Sequence, residues 1–157
     1  MRKRLIETGQ QQTSLPVEDW LNIEDIAEVE FTSEDAAHPI ESALLPGGVV
    51  GWRAAVSGKQ TIRLKFAAPQ RLRRIWIKFM EPRTERTQEY NLRWSADGGH
   101  SFREIVRQQW NFSPNGATSE TEDHHVELPA VTVLELNITP DISGGKAFAS
   151  MEQMRLA

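Results

Sequence analysis

Two stretches of this chain carry side chains whose types and spacing suit ligand chemistry. The first is Glu81-Pro82-Arg83-Thr84-Glu85-Arg86-Thr87-Gln88, where acids and arginines alternate between two apolar runs. Arg83 and Arg86 offer planar guanidiniums that grip hydroxyls, a carboxylate or a phosphate through paired N–H donors. A solvated, self-paired loop has the same look, because exposed ion pairs are common and weak. The second is Trp110-Asn111-Phe112-Ser113-Pro114, which ends an apolar run and begins a loop rich in Ser, Pro, Asn and Gly. An aromatic at a loop mouth stacks on the apolar face of a sugar ring, and Asn111 both donates and accepts toward hydroxyls. The structural alternative is that Trp110 and Phe112 plug one end of a core.

Other chemistries are poorly served. The histidines are His38, His100, His124 and His125. Adjacent strand residues point to opposite faces, so His124 and His125 do not share one ion from a strand. With no cysteine to add thiolates, no metal-ligating residues are expected. There is no Gly-x-Ser-x-Gly, no phosphate loop and no dinucleotide fingerprint. Glu81, Glu85 and Glu89 allow carboxylate pairs, but such pairs arise freely among 22 acidic residues. The chain is expected not to be an enzyme. Asn111-Phe112-Ser113 and Asn137-Ile138-Thr139 match a glycosylation sequon, yet each is followed by proline, and both read as chance.

Composition bounds the rest. A length of 157 residues fits one domain with a real core. Hydrophobic residues at 39% and charged residues at 25% are globular values. No apolar run reaches the ~20 residues of a membrane helix. No apolar stretch follows the basic start at residues 1–4, so no secretory signal is read there. Together with the missing cysteines, this points to the cytoplasm. The net charge of −4 hides a division: residues 53–107 carry 13 basic and 5 acidic residues, and the remainder 5 basic and 17 acidic. A basic middle between acidic flanks can steer an anionic ligand. A sequence pI of 5.6 and the lack of an aromatic–basic repeat argue against nucleic acid.

The elements that must position these residues are short strands. Residues 1–28 read as an N-terminal tail with a short helix or turn over 17–27. From residue 29 the apolar period becomes two. Ile62, Leu64 and Phe66 share a face, as do Ile75, Ile77 and Phe79. Tyr90, Leu92 and Trp94 form a third set, and Leu134, Leu136 and Ile138 a fourth. Further strands are expected at 102–110, 124–128 and 148–156. Asp97-Gly98 suits a tight hairpin, because Gly supplies the positive φ that such turns need. About eight strands with little helix predict an all-β fold, an antiparallel sandwich or jelly roll, over residues 29–157.

Several segments, taken in order, resemble the discoidin family, also called the coagulation factor 5/8 type C domain, which overlaps the galactose-binding-like carbohydrate-binding modules. The opening runs through Ser33-Glu34, His38-Pro39-Ile40-Glu41-Ser42-Ala43-Leu44, Gly51-Trp52-Arg53 and Gln60-Thr61-Ile62-Arg63-Leu64. The middle is Tyr90-Asn91-Leu92-Arg93-Trp94-Ser95-Ala96-Asp97-Gly98-Gly99 with Phe102 after it. The close is Leu134-Glu135-Leu136, then Ala149-Ser150-Met151-Glu152-Gln153-Met154-Arg155-Leu156.

The resemblance implies an eight-stranded jelly roll with binding loops at one pole. That pole would receive the loop around Trp52 and Arg53, the loop 81–88 and the loop 140–146. In this pattern Trp52 is a core lid, Arg53 faces the pole, and His38 lies near it as a ligand contact. Family members typically bind a sugar, a lipid head group or another protein. Many also hold a structural calcium through an acidic turn before the Trp and a Glu in the last strand. Here that turn reads Leu45-Pro46-Gly47-Gly48 without an acid, and the matching last-strand position is Gln153, beside Glu152. No cofactor is therefore expected, and calcium is disfavoured. The loop 81–88 has no apolar wedge, so membrane insertion is not expected.

The resulting expectation is a non-catalytic module that binds a carbohydrate or similar polar ligand. Its site would be His38, Arg53, Arg83, Arg86, Trp110, Asn111 and Phe112. Weak single-site binding would favour a homo-oligomer. The alternative is a protein–protein interaction or structural domain of a cytoplasmic assembly.

Overall fold

The structure, a computed structural model, describes residues 19–157. The tail expected over residues 1–16, and the first two residues of the helix or turn expected over 17–27, lie outside the described residues. The chain then forms helix α1 (Ile23–Ile26) and strand β1 (Ala27–Phe31). Helix α2 (Glu41–Leu44), β2 (Trp52–Arg53) and the long strand β3 (Gln60–Met80) follow. The remainder is β4 (Arg86–Ser95), β5 (Arg103–Phe112), β6 (Ser119–Thr139), β7 (Ser150–Met151) and β8 (Gln153–Leu156). This is the eight-stranded antiparallel jelly-roll sandwich that the alternation predicts.

One layer has the strand order β1-β3-β6-β4-β5, and β8 pairs with β3 beyond that path. Strands β3 and β6 run through both layers. The first part of β3 pairs with β1 and with the end of β6; its second part pairs with β8 and with the start of β6. The ladder slips register between Lys65 and Arg74, where each long strand bends from one layer to the other. The sequence suggests two separate strands here. Ala67-Ala68-Pro69 looks like a break because Pro cannot donate to a ladder; it sits instead at the bend, where no ladder bond is required.

The period-two rows interdigitate between the layers. Ile62, Leu64, Ile75, Ile77, Phe79, Tyr90, Leu92, Leu134, Leu136 and Ile138 are all buried. Each such side chain contributes roughly 1.5–3 kcal/mol when taken out of water. The Phe79 and Tyr90 rings pack with centroids 5.1 Å apart.

Two local features differ from the sequence reading. The Asp97-Gly98 connection is a loop over residues 96–102 rather than a two-residue hairpin. Asp97 accepts hydrogen bonds from Ser95 Oγ (2.6 Å), Ser101 N (2.9 Å) and Ser101 Oγ (2.6 Å). Those donors hold its carboxyl well below the usual range, while Gly98 takes φ +73° and Gly99 φ +95°. Helix α2 is also new. Glu34 Oε2 accepts from the Ile40 amide (2.7 Å) at its start, and Ala43 and Leu44 bury on the core.

Candidate functional site

An open cleft of about 550 Å³ lies where the β1–α2 connection, β2, the β3–β4 loop and the β7–β8 turn meet. That volume is within the range of small-ligand sites. Close backbone approach builds its floor. Gly51, at φ +71°, sits so near the Met151–Glu152 backbone that a Cβ would fall 2.8 Å from the Met151 carbonyl oxygen. Only glycine allows β2 to lie against β7 at that point. Trp52 is buried, and its Nε1 donates to Ser33 O at 2.9 Å, so it acts as the lid on the core.

Asp35 and His38 form one wall. A turn brings the His38 amide to Asp35 O (2.8 Å), and β2 locks it through Asp35 N to Arg53 O (2.8 Å) and Arg53 N to His38 O (3.2 Å). His38 Nδ1 lies 3.0 Å from Asp35 Oδ2. That bond, first of all, holds the Asp35 carboxyl below its ordinary value. An ionised Asp35 accepts only, so His38 donates to it through Nδ1–H, and in the neutral form of the ring Nε2 is then the acceptor.

The β3–β4 loop forms the opposite wall. Glu81 Oε2 accepts from the amides of Arg83 (3.3 Å) and Thr84 (3.4 Å), which curls the loop and turns Arg83 outward. Glu81 Oε1 accepts from Arg86 Nε at 2.9 Å. Glu152, on the third side, has Oε2 3.4 Å from Lys78 Nζ, an ion-pair distance without hydrogen-bond geometry. Val50 and Met80, both partly exposed, supply apolar surface.

Arg53 and Arg83 stand apart from this pairing. The Arg53 guanidinium lies over the Phe148 ring, 5.2 Å from its centroid. Among the described residues, neither the Arg53 nor the Arg83 side chain makes a hydrogen bond or ion pair with a protein group.

The cleft thus brings together His38, Arg53 and Arg83 of the expected site. The other four lie elsewhere. Arg86 is not a loop donor: β4 begins at this residue and points it inward. There it is buried, bonding Gln88 Oε1 (3.1 Å) and Pro140 O (2.9 Å) as well as Glu81, with its guanidinium 4.8 Å from the Phe112 ring centroid. Phe112 is buried too, as the last residue of β5, and presents no face to a ligand. Trp110 and Asn111 belong to β5 rather than a loop and line a separate shallow depression with Gln109 and Ala117. Asn111 Oδ1 there accepts from Thr87 Oγ1 at 2.7 Å. The loop 140–146 does not line the cleft; its Ile142 amide bonds Thr87 O (2.9 Å) beside β4. The sequence reading missed Asp35, Val50, Met80 and Glu152. Of these, only Asp35 carried a signal, the three-residue spacing to His38.

The donors do not suit the calcium that the family resemblance brings in. Near the loop after α2, the carbonyls of Ala43 and Leu45 face the Arg155 guanidinium, which donates to them at 2.9 and 3.1 Å and to Met154 O at 2.8 Å. A cation belonging to the chain already occupies those oxygens. Among the described residues, no three His, Cys, Asp or Glu side chains gather as a metal set.

Compared with known proteins, the sequence matches no family model and no curated protein. Solved structures do match. A pectin-binding carbohydrate-binding module superposes with TM-score 0.56 at 16% identity, covering 83% of this chain and 89% of that one. The family 32 module of AlyQ, in complex with 4,5-unsaturated mannuronic acid, gives 0.60 at 16% identity, with 85% and 95% covered. The family 32 module from C. perfringens NanJ, in complex with galactose, gives 0.58 at 16%, with 83% and 92% covered. These likenesses show that this chain shares the β-sandwich fold of those carbohydrate-binding modules.

Proposed function

We propose that this protein is a non-catalytic carbohydrate-binding module whose ligand seats in the cleft of His38, Arg53 and Arg83. The observation that carries this reading is the cleft itself: a concave site with two uncommitted guanidiniums, an imidazole acceptor and a strip of apolar surface. A sugar ring offers the matching set, hydroxyls that donate and accept and a C–H face. The similarly folded modules, one described as pectin-binding and two solved in complex with 4,5-unsaturated mannuronic acid and with galactose, support the same reading. Each carboxylate in the cleft is already engaged by a side chain of the protein, which argues against a free acid–base pair for glycosidic cleavage. A few exposed hydrogen bonds with one ring give mM to μM affinity, roughly −4 to −8 kcal/mol. Strong attachment would draw on several copies acting together.

A broad glycan array followed by calorimetric titration tests the reading. A saccharide hit that is lost in Arg53→Ala and in His38→Ala, both still folded, supports it. A blank array with the folded protein overturns it.

A further inference from the structure

The cleft's charges do not balance, and the imbalance has a direction. Three carboxylates line it, and each already has a partner on the chain. Asp35 Oδ2 is 3.0 Å from His38 Nδ1, Glu81 Oε1 is 2.9 Å from Arg86 Nε, and Glu152 Oε2 is 3.4 Å from Lys78 Nζ. Arg53 and Arg83 form no ion pair among the described residues, and Asp35, the acid on which the Arg53 charge acts, is already bonded to His38. Both are exposed at the cleft, so water screens them now; a ligand that displaces that water leaves two positive charges facing it.

The state of Arg53 adds a geometric reason. With one face of its guanidinium against Phe148, the fork is held while its N–H edges stay free. A held fork loses little entropy on gripping a planar or tetrahedral anion through two parallel bonds. Around it stand groups that suit a hydroxylated ring rather than a bare ion. They are the His38 acceptor, the Thr84 and Ser150 hydroxyls, and the apolar Val50 and Met80.

We infer that the cleft selects an acidic saccharide, whose anionic group is gripped by Arg53 and Arg83 while the ring rests on the neighbouring polar and apolar surface. This rests on the carbohydrate-binding reading and narrows it to a ligand class. Two sources supply such an anion, a uronate carboxylate and an ester sulfate.

The test titrates the protein with trigalacturonate, with its fully methyl-esterified neutral form, and with a sulfated galactose trisaccharide. Each titration is run at low and at high salt. The acidic ligand is expected to bind at least about tenfold more tightly than its neutral form, with the preference shrinking as salt screens it. The carboxylate and sulfate arms show which anion is preferred. Arg53→Ala and Arg83→Ala should each erase most of that preference, and Arg53→Lys should restore only part of it, because an ammonium has no fork. If the neutral form binds as tightly as the acidic ones, and Arg53→Ala weakens all three equally, the acidic selection is wrong and the carbohydrate reading stands. If no saccharide of either kind binds the folded protein, both are wrong.

Discussion

Arginines cluster in two regions of this molecule, and the clusters differ in a single respect. On the outer face of the sheet, Arg63 and Arg93 converge on Glu135, with Nε–O distances of 2.6 and 3.0 Å. Asn137 adds a bond to the same carboxylate at 2.8 Å. Burial pushes the Glu135 carboxyl up, but the bonds from Arg63 and Asn137 and the Arg93 charge outweigh it and hold the group below its ordinary value. In the cleft, neither Arg53 nor Arg83 forms an ion pair among the described residues; Asp35, which the Arg53 charge reaches, is bonded to His38 instead. Aromatic contact does not separate the regions, since Arg93 lies 4.4 Å from the Phe102 centroid much as Arg53 lies over Phe148. The missing ion pair does. An arginine with its counter-ion on the same chain is structure, and one without it is available to a ligand.

The β3–β4 connection compresses the comparison into three residues and gives the largest expected effect. Arg86→Ala strands the buried Glu81 carboxylate and frees Pro140 O, so it should cost about 3–5 kcal/mol in urea unfolding. Arg83→Ala should leave the unfolding midpoint where it is. Equal losses in the two variants would break the distinction between committed and free arginines.

Arg155 is the committed case on backbone oxygens. Arg155→Ala leaves the carbonyls of Ala43, Leu45 and Met154 without their donor, and a loss of about 2–4 kcal/mol is expected in the same assay. A chelator should not shift the thermal midpoint of the native protein. A drop on chelation would show that a metal, not Arg155, ties that loop. On the outer face, Glu135→Ala should cost less, about 1–2 kcal/mol, because Arg63 and Arg93 are partly exposed and can turn to water. It should leave ligand binding intact, the reverse of Arg53→Ala.

The last expected effect depends on pH and concerns a buried acid that forms no ion pair among the described residues. Glu120 is buried on the inner side of β6, with the Gln88 amide at 3.5 Å and its Oε2 unpartnered. Burial first, then the neighbouring Glu122, push its pKa up to about 8. The native state therefore keeps a proton that the unfolded chain loses near its ordinary 4.5. Stability from this group is complete below the unfolded value, falls as pH rises toward about 8, and is flat above it. Glu120→Gln should flatten that slope and be the more stable protein at the alkaline end. An unchanged slope would move the proton uptake to another group.

Much of the fold was legible because burial imposes a period of two. The rows Ile62-Leu64, Ile75-Ile77-Phe79, Tyr90-Leu92 and Leu134-Leu136-Ile138 are the core that the alternation marks. What it could not show was that β3 and β6 continue through their bends, since a bend and a break look alike around Pro69. The lining of the cleft was legible only where residue type was enough, at His38, Arg53 and Arg83. Strand parity would have removed two of the others. Arg86 shares its parity with Gln88, Tyr90 and Leu92, and Phe112 with Trp110 and Val106, which places both on inward faces once β4 and β5 are extended far enough. Asp35 and Glu152 come together with Arg53 only through long-range packing of β2 on β7, at Trp52–Met151 and Arg53–Ser150, and no local pattern records that.

The most direct measurement is a backbone-amide NMR titration with the best saccharide from the array. Binding in the cleft predicts shifts confined to residues 35–38, 50–53, 81–84 and 150–152. Shifts centred instead on residues 109–117 would put the ligand on the Trp110–Asn111 depression and contradict the assignment of the cleft.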